Sequence, residues 1–130
     1  MRAIIVALVV LVSGVAWAAP RVVITATTAA KATTLTPEAV RTRIEAVYRP
    51  GLVRCYGEAL KADPTAAGKL VANFDVGTTG RLSNVKVATF APALERCVAN
   101  LMGAWTFPVP KAEDGTPTDG AFAVTFELTP

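Results

Sequence analysis

The stretch that decides the fold is KLVANFDVGTTGRLSNVKVAT, residues 69–89. From Lys69 to Val76, apolar residues alternate with other residues, which is typical of a strand with one buried face. Gly77-Thr78-Thr79-Gly80 follows as a hairpin connection, with glycines where a tight turn can require positive φ angles. Leu82 to Thr89 is the returning strand. Its apolar pattern slips by one residue, which predicts a β-bulge near Ser83-Asn84.

Helical patterns flank this hairpin. Thr36-Pro37-Glu38 predicts a helix start, because Thr caps well and Pro fits the first turn. Pro50 is expected to break or kink this helix, which restarts there and ends at Asp63-Pro64. Pro92 opens a second helix with apolar residues at intervals of three and four. These residues are Leu94, Cys97, Val98, Leu101, Met102 and Trp105.

Two further segments have β character. Ala121 to Leu128 predicts a final strand that carries Phe122, Val124 and Phe126 on one face. Arg21 to Thr28 begins with a β-prone run and continues into a Thr/Ala-rich stretch, which predicts an edge strand or a loose arm. The order of elements predicts an α+β fold, a small antiparallel sheet of about three strands with two helices packed on one face.

The N-terminal residues have the pattern of a secretory signal. Arg2 supplies a positive charge, an apolar run follows, and Ala16-Trp17-Ala18 provides small residues for cleavage after Ala18. The alternative is an uncleaved membrane anchor, for which the run is short. We expect residues 1–18 to be a signal peptide, 19–35 a Thr/Ala-rich arm and 36–130 the folded domain. The predicted location is the periplasm or the medium.

The charges exclude some classes of partner. The chain has 13 Lys and Arg residues against 10 Asp and Glu residues, a formal net charge of +3. Basic residues are scattered among acidic ones, so we expect no nucleic-acid partner. We expect contact with a membrane only if the signal segment is retained as an anchor.

Two cysteines, Cys55 and Cys97, lie on the apolar stripes of the two predicted helices. An exported chain enters an oxidising compartment, which favours a disulfide between them. Two helices on one face of a small sheet can bring such positions within bridging distance. The alternative is a pair of free buried thiols.

The sequence offers little for catalysis. It has no histidine, the commonest general base and metal ligand. Ser83 lies in the predicted hairpin without a partner base, and the cysteines do not form a C-x-x-C motif. We therefore expect no catalytic residues, no metal site, no cofactor and no enzymatic activity. A hydrolase that uses a pair of carboxylates stays open as an alternative, with Glu58 as one candidate acid.

Six short motifs follow one another between Leu52 and Leu128. They are Cys55-Tyr56, Gly68-Lys69-Leu70-Val71, Phe74-Asp75-Val76, Gly80-Arg81-Leu82, Cys97-Val98 and Trp105-Thr106-Phe107-Pro108, followed by an apolar strand. In this order and spacing the chain resembles the C-terminal domain family named after AgmX and PglI, a relative of the TonB C-terminal domain.

This resemblance implies a TonB-like α+β fold and a protein-interaction role in the cell envelope, with envelope proteins as partners. Domains of this type receive an extended peptide along a sheet edge, and the final strand around Phe122, Val124 and Phe126 is the candidate edge. Tyr56 and Trp105 are candidate partner-binding residues. For all five side chains, the alternative is packing in the core.

Three functions therefore remain open. The first is an exported interaction module of the cell envelope that does no chemistry. The second is a small secreted effector or inhibitor, and the third is the carboxylate-based hydrolase. The resemblance favours the first.

Overall fold

The computed structural model describes residues 20–130, and the expected signal segment and its cleavage site lie outside them. Strands and α-helices within this range are β1 (Arg21–Ala29), α1 (Pro37–Arg43), α2 (Arg49–Ala62), β2 (Gly68–Val76), β3 (Leu82–Ala88), α3 (Pro92–Met102) and β4 (Gly120–Thr129). A π-helical turn, Ile44–Tyr48, joins α1 to α2. The protein is thus an α+β fold with one kinked helical segment, one shorter helix and an antiparallel sheet, as the sequence predicts.

The four strands of the described chain form one antiparallel sheet in the order β1-β4-β2-β3. Phe126 of β4 lies opposite Ile24 on one side and opposite Leu70 on the other. The N-terminal Thr/Ala-rich stretch is therefore an edge strand rather than a loose arm. The expectation that the final strand lies at an edge is wrong, because β4 pairs on both of its sides.

The β2–β3 hairpin has the predicted turn and the predicted bulge. Gly80 has a φ of 81°, and its carbonyl accepts a hydrogen bond from the N–H of Phe107 over 2.9 Å. The register shifts between Asn73 and Asp75, where β3 contains an extra residue. Asn84 lies at this point with a φ of 51°, a conformation that Asn tolerates better than most residues.

The first helical segment begins as predicted, because the Thr36 hydroxyl accepts a hydrogen bond from the Ala39 N–H at 3.1 Å. The kink that the sequence places at Pro50 is a π-helical turn that ends two residues earlier. Within it, the Arg49 N–H bonds to the Ile44 carbonyl, five residues back. A π-turn adds one residue to a helix, and helical structure then continues through Pro50 in the first turn of α2.

The core lies between one face of the sheet and the helices. Buried side chains alternate along β2 and β4, so only one face of the sheet is covered. The helices contribute Val40, Ile44, Leu52, Tyr56, Leu94, Val98 and Met102 to the same cluster. The predicted disulfide between Cys55 and Cys97 is present, and it joins α2 to α3 with 5.8 Å between the Cα atoms.

Candidate functional site

The three candidate partner-binding residues of the final strand lie in the core. Phe122, Val124 and Phe126 are 4%, 0% and 1% exposed, respectively, on the covered face of β4. Phe122 also packs against Phe74 of β2, with the ring centroids 5.9 Å apart. In this conformation a partner can reach neither these side chains nor a free edge of their strand.

The two other candidates are also buried. Tyr56 is fully buried on α2, and its hydroxyl donates a hydrogen bond to the Ala66 carbonyl. Burial raises the pKa of this hydroxyl above its ordinary value. Trp105 is 4% exposed and stacks on Tyr48, with the ring centroids 4.6 Å apart. Both rings therefore fill the packing role that the sequence left open.

Sequence reasoning missed a cluster around Tyr48, the last residue of the π-turn. Its hydroxyl donates to the Thr106 carbonyl at 2.9 Å and accepts from the Thr106 N–H at 2.8 Å. The Arg43 guanidinium also donates to Thr106, and it lies 5.6 Å from the centre of the Tyr48 ring. Burial acts to raise the pKa of Tyr48, but the hydrogen bonds with Thr106 and the nearby Arg43 charge outweigh it and lower the pKa. The cluster holds the chain after α3 against the first helical segment.

The sheet of the described chain has two edges, β1 and β3, and a helix packs beside each of these strands. The Ala30 N–H bonds to the Ala121 carbonyl at 2.9 Å. Bonded and non-bonded pairs alternate in an antiparallel ladder, so the backbone N–H and C=O groups of Thr27 and Ala29 point away from β4. From Val22 to Ala30 the strand carries no charge and no proline. Such an edge can pair with another extended chain.

The other edge, β3, has features that discourage pairing. The bulge at Asn84 twists this strand, and the Asn84 side chain donates to the Asp75 carboxylate at 2.7 Å. Lys86, two residues further, is exposed on the same strand. Bulges and lysines are common protections of natural sheet edges. β1 also has a bulge, at Thr25, but Ala26 to Ala29 continue in regular register beyond it.

Glu58, one candidate acid of the hydrolase alternative, lies on the surface. Glu58 accepts a hydrogen bond from Lys61 at 2.9 Å, and both side chains are largely exposed. Across residues 20–130, no three or more His, Cys, Asp or Glu side chains form a group that could hold a metal ion.

Comparison with known proteins adds no relative. No protein-family model, no curated protein and no solved structure matches the chain. In the part of the chain that the structure describes, no helix is both long enough and apolar enough to cross a membrane.

Proposed function

We propose that this chain is an exported, non-enzymatic protein of the cell envelope that binds a partner protein by accepting an extended segment at β1. The observation that carries the proposal is the free edge of β1, which carries no charge after Arg21 and whose outer backbone groups have no neighbouring strand within residues 20–130. Main-chain hydrogen bonds to such an edge give affinity, and neighbouring side chains give specificity.

Two further observations support this function. The disulfide between Cys55 and Cys97 is of the kind that persists in exported proteins, which agrees with the secretory pattern of residues 1–18. The motifs from Cys55 to Pro108 resemble an envelope-protein family whose relatives bind extended peptides. Because β4 is central in the sheet, we place the proposed binding edge at β1.

The β1 side chains on the open face of the sheet would set specificity. Val23 is 46% exposed, and Thr28 is exposed five residues further along the strand. An added strand would lie about 4.8 Å from β1, so its own side chains would pack beside these two. An apolar residue next to Val23 would bury part of that exposed surface.

The test is a site-specific cross-link in the native cell. A photo-activatable residue at Val23 should capture a discrete envelope protein, whereas the same residue at Ser83 on β3 should not. In the chain that carries the photo-activatable residue at position 23, Thr28→Lys should abolish capture of the partner, because a lysine on an edge strand hinders pairing. Ser83→Lys, the matched change on the other edge, should leave capture intact.

Other results would contradict the proposal. Equal capture from Val23 and Ser83, or capture that survives Thr28→Lys, would show that β1 is not the binding edge. Recovery of the chain from the medium, cross-linked to a protein outside the producing cell, would favour the effector or inhibitor function.

A further inference from the structure

A second surface, away from β1, has the shape of a binding cleft. It lies between the end of α2 and the start of α3, and α3 packs beside β3 at the opposite side of the sheet from β1. Its volume is about 260 Å³. The Cys55–Cys97 disulfide lines it together with Leu94, and small residues keep it open. These small residues are Ala59, Ala62, Ala66, Ala91 and Ala93.

The cleft is mostly apolar and held in place by its surroundings. The disulfide ties the two helical walls of the cleft together. Ligand binding would therefore lose little conformational entropy in these walls. Phe90, which also lines the cleft, is 41% exposed. Its ring packs closely over Gly68, where a Cβ atom would lie 2.9 Å from the ring. An exposed aromatic ring beside an apolar cleft is typical of a protein-binding site.

The charges at the cleft have one sign. The ionisable side chains that line it are Glu58 and Asp63, and no Lys or Arg of residues 20–130 is among the lining residues. Lys61 pairs with Glu58, so part of the negative charge is compensated. Asp63 accepts hydrogen bonds from the N–H and hydroxyl of Thr65, at 3.1 and 2.8 Å, and no cationic side chain of residues 20–130 lies within ion-pair distance of it. The cleft therefore complements an apolar group that carries a neighbouring positive charge.

We propose that this cleft binds one large apolar side chain of a protein partner, with a lysine or arginine next to it in the partner sequence. Its volume is below the roughly 300–1,000 Å³ of small-molecule sites, which suits a single anchor side chain better than a whole cofactor. Anchors of this kind, surrounded by a polar rim, carry much of the energy of protein interfaces. The inference is independent of strand addition at β1.

Three blocked dipeptides test the proposal on the purified chain, observed through its backbone amide NMR signals. Acetyl-Trp-Lys-amide should shift the signals of Ala59 and Ala93, with a Kd on the order of 1 mM. Acetyl-Trp-Glu-amide should bind roughly fivefold more weakly, because its charge meets the two carboxylates. Acetyl-Gly-Lys-amide, which lacks the apolar side chain, should cause no saturable shift.

Variants of the cleft separate the effect of its shape on peptide binding from the effect of its charge. Ala59→Leu should fill the cleft and weaken binding of the Trp-Lys peptide at least roughly tenfold. Glu58→Gln with Asp63→Asn should keep binding but remove the preference for lysine over glutamate. Glu113→Gln, in the exposed loop before β4, should leave affinity and preference unchanged.

Several results would overturn the proposal. They are equal affinity for the Trp-Lys and Trp-Glu peptides, binding unaffected by Ala59→Leu, or no saturable shift with any peptide up to about 20 mM. Shifts confined to β1 would also overturn it and would instead assign the peptide to the proposed edge. The charge variants change only exposed side chains, so a folding defect in Ala59→Leu would still leave the charge preference as a test.

Discussion

Two glycines of this chain differ in their backbone conformation and in the space around them. Gly80 has a φ of 81°, and a Cβ atom there would lie 2.3 Å from the Phe107 carbonyl oxygen. Gly57, within α2, has an ordinary φ, and a Cβ atom there would meet nothing within 4 Å. The first glycine is required by a turn and a close contact, whereas the second only weakens a helix.

Alanine at these two positions should therefore have opposite effects on stability. Gly80→Ala should lower the free energy of unfolding by about 1–3 kcal/mol, because it adds backbone strain and a steric clash. Gly57→Ala should raise it by about 0.5–1 kcal/mol, through a better helix propensity. Urea denaturation of both variants measures the effects. A loss of stability in Gly57→Ala would contradict the open environment of that residue.

The two tyrosines should titrate on opposite sides of their ordinary pKa of 10.0. Burial raises the pKa of Tyr56, whereas its hydrogen bonds leave Tyr48 with a lowered pKa. Because the chain has only these two tyrosines, absorbance of the phenolate should rise in two separate steps. Tyr56→Phe should remove the upper step and Tyr48→Phe the lower one. A single step at the ordinary pKa would contradict both assignments.

These shifts also set the sign of the stability changes in alkali. Folded Tyr56 keeps its proton above pH 10 while the unfolded chain loses it, so its contribution to stability falls as the pH rises from 10 to the folded pKa. Tyr48 acts in the opposite direction. Its contribution to stability rises as the pH passes from its lowered folded pKa up to 10.

At the scale of elements, the π-turn Ile44–Tyr48 positions a side chain that joins two distant parts of the chain. It ends at the residue whose hydroxyl holds the Thr106 backbone, 58 positions away in sequence. Pi-turns are frequent at functional sites, and here the turn orients a side chain that closes the chain after α3 against the first helical segment.

Tyr48→Phe should show how much the hydrogen bonds between the Tyr48 hydroxyl and the Thr106 backbone contribute to stability. The ring can still stack on Trp105, but the N–H and C=O of Thr106 each lose a hydrogen-bond partner. The free energy of unfolding should fall by about 1–3 kcal/mol, measured by urea denaturation. Thr42→Ala, an exposed change in α1, is the control and should have little effect. A Tyr48→Phe variant as stable as the parent would show that the two hydrogen bonds contribute nothing.

Local patterns predict the elements better than they predict which elements are neighbours. The alternation of residues 69–76 and the slip near Asn84 are local, and the hairpin and its bulge are confirmed. The alternation of residues 121–128 identifies a strand but is the same for an edge strand and a central one. The place of β4 depends on pairing with Val22 to Ala29, a segment whose threonines and alanines give no clear stripe.

The same limit applies to the sites. The disulfide could be predicted because Cys55 and Cys97 each lie on a helical apolar stripe, and both stripes must face one sheet. The contact between Tyr48 and Thr106 could not, because it depends on an extra helical residue that leaves no signature in the sequence. The cleft also escaped detection, since alanines on two helices have no recognisable pattern until the helices are packed.

On the scale of the whole molecule, the disulfide is the main covalent constraint on the described chain. It closes a loop between residues 42 positions apart, which in the chain-entropy model stabilises the fold by about 4 kcal/mol. Stability of small domains is of the same order, about 5–15 kcal/mol in total. Its removal should therefore leave a marginal protein.

Cys55→Ala with Cys97→Ala should show this directly, since alanine avoids burying a hydroxyl at Cys55. The unfolding midpoint in urea should fall by the equivalent of about 4 kcal/mol. Reductant should destabilise the parent by a similar amount and leave the double variant unchanged. The intact mass of the parent should increase by about two hydrogens on reduction. An unchanged mass would mean that the bond does not form.

The central position of β4 also determines when the chain can fold. β4 follows the other three strands of the described chain and provides the pairing surface for both β1 and β2, so this sheet cannot be completed before Gly120–Thr129 have been made. Long-range pairing of this kind is slow to form. A chain in synthesis would thus leave β1 and β2 without their shared partner until the β4 residues have been made, which delays formation of the core beneath the sheet.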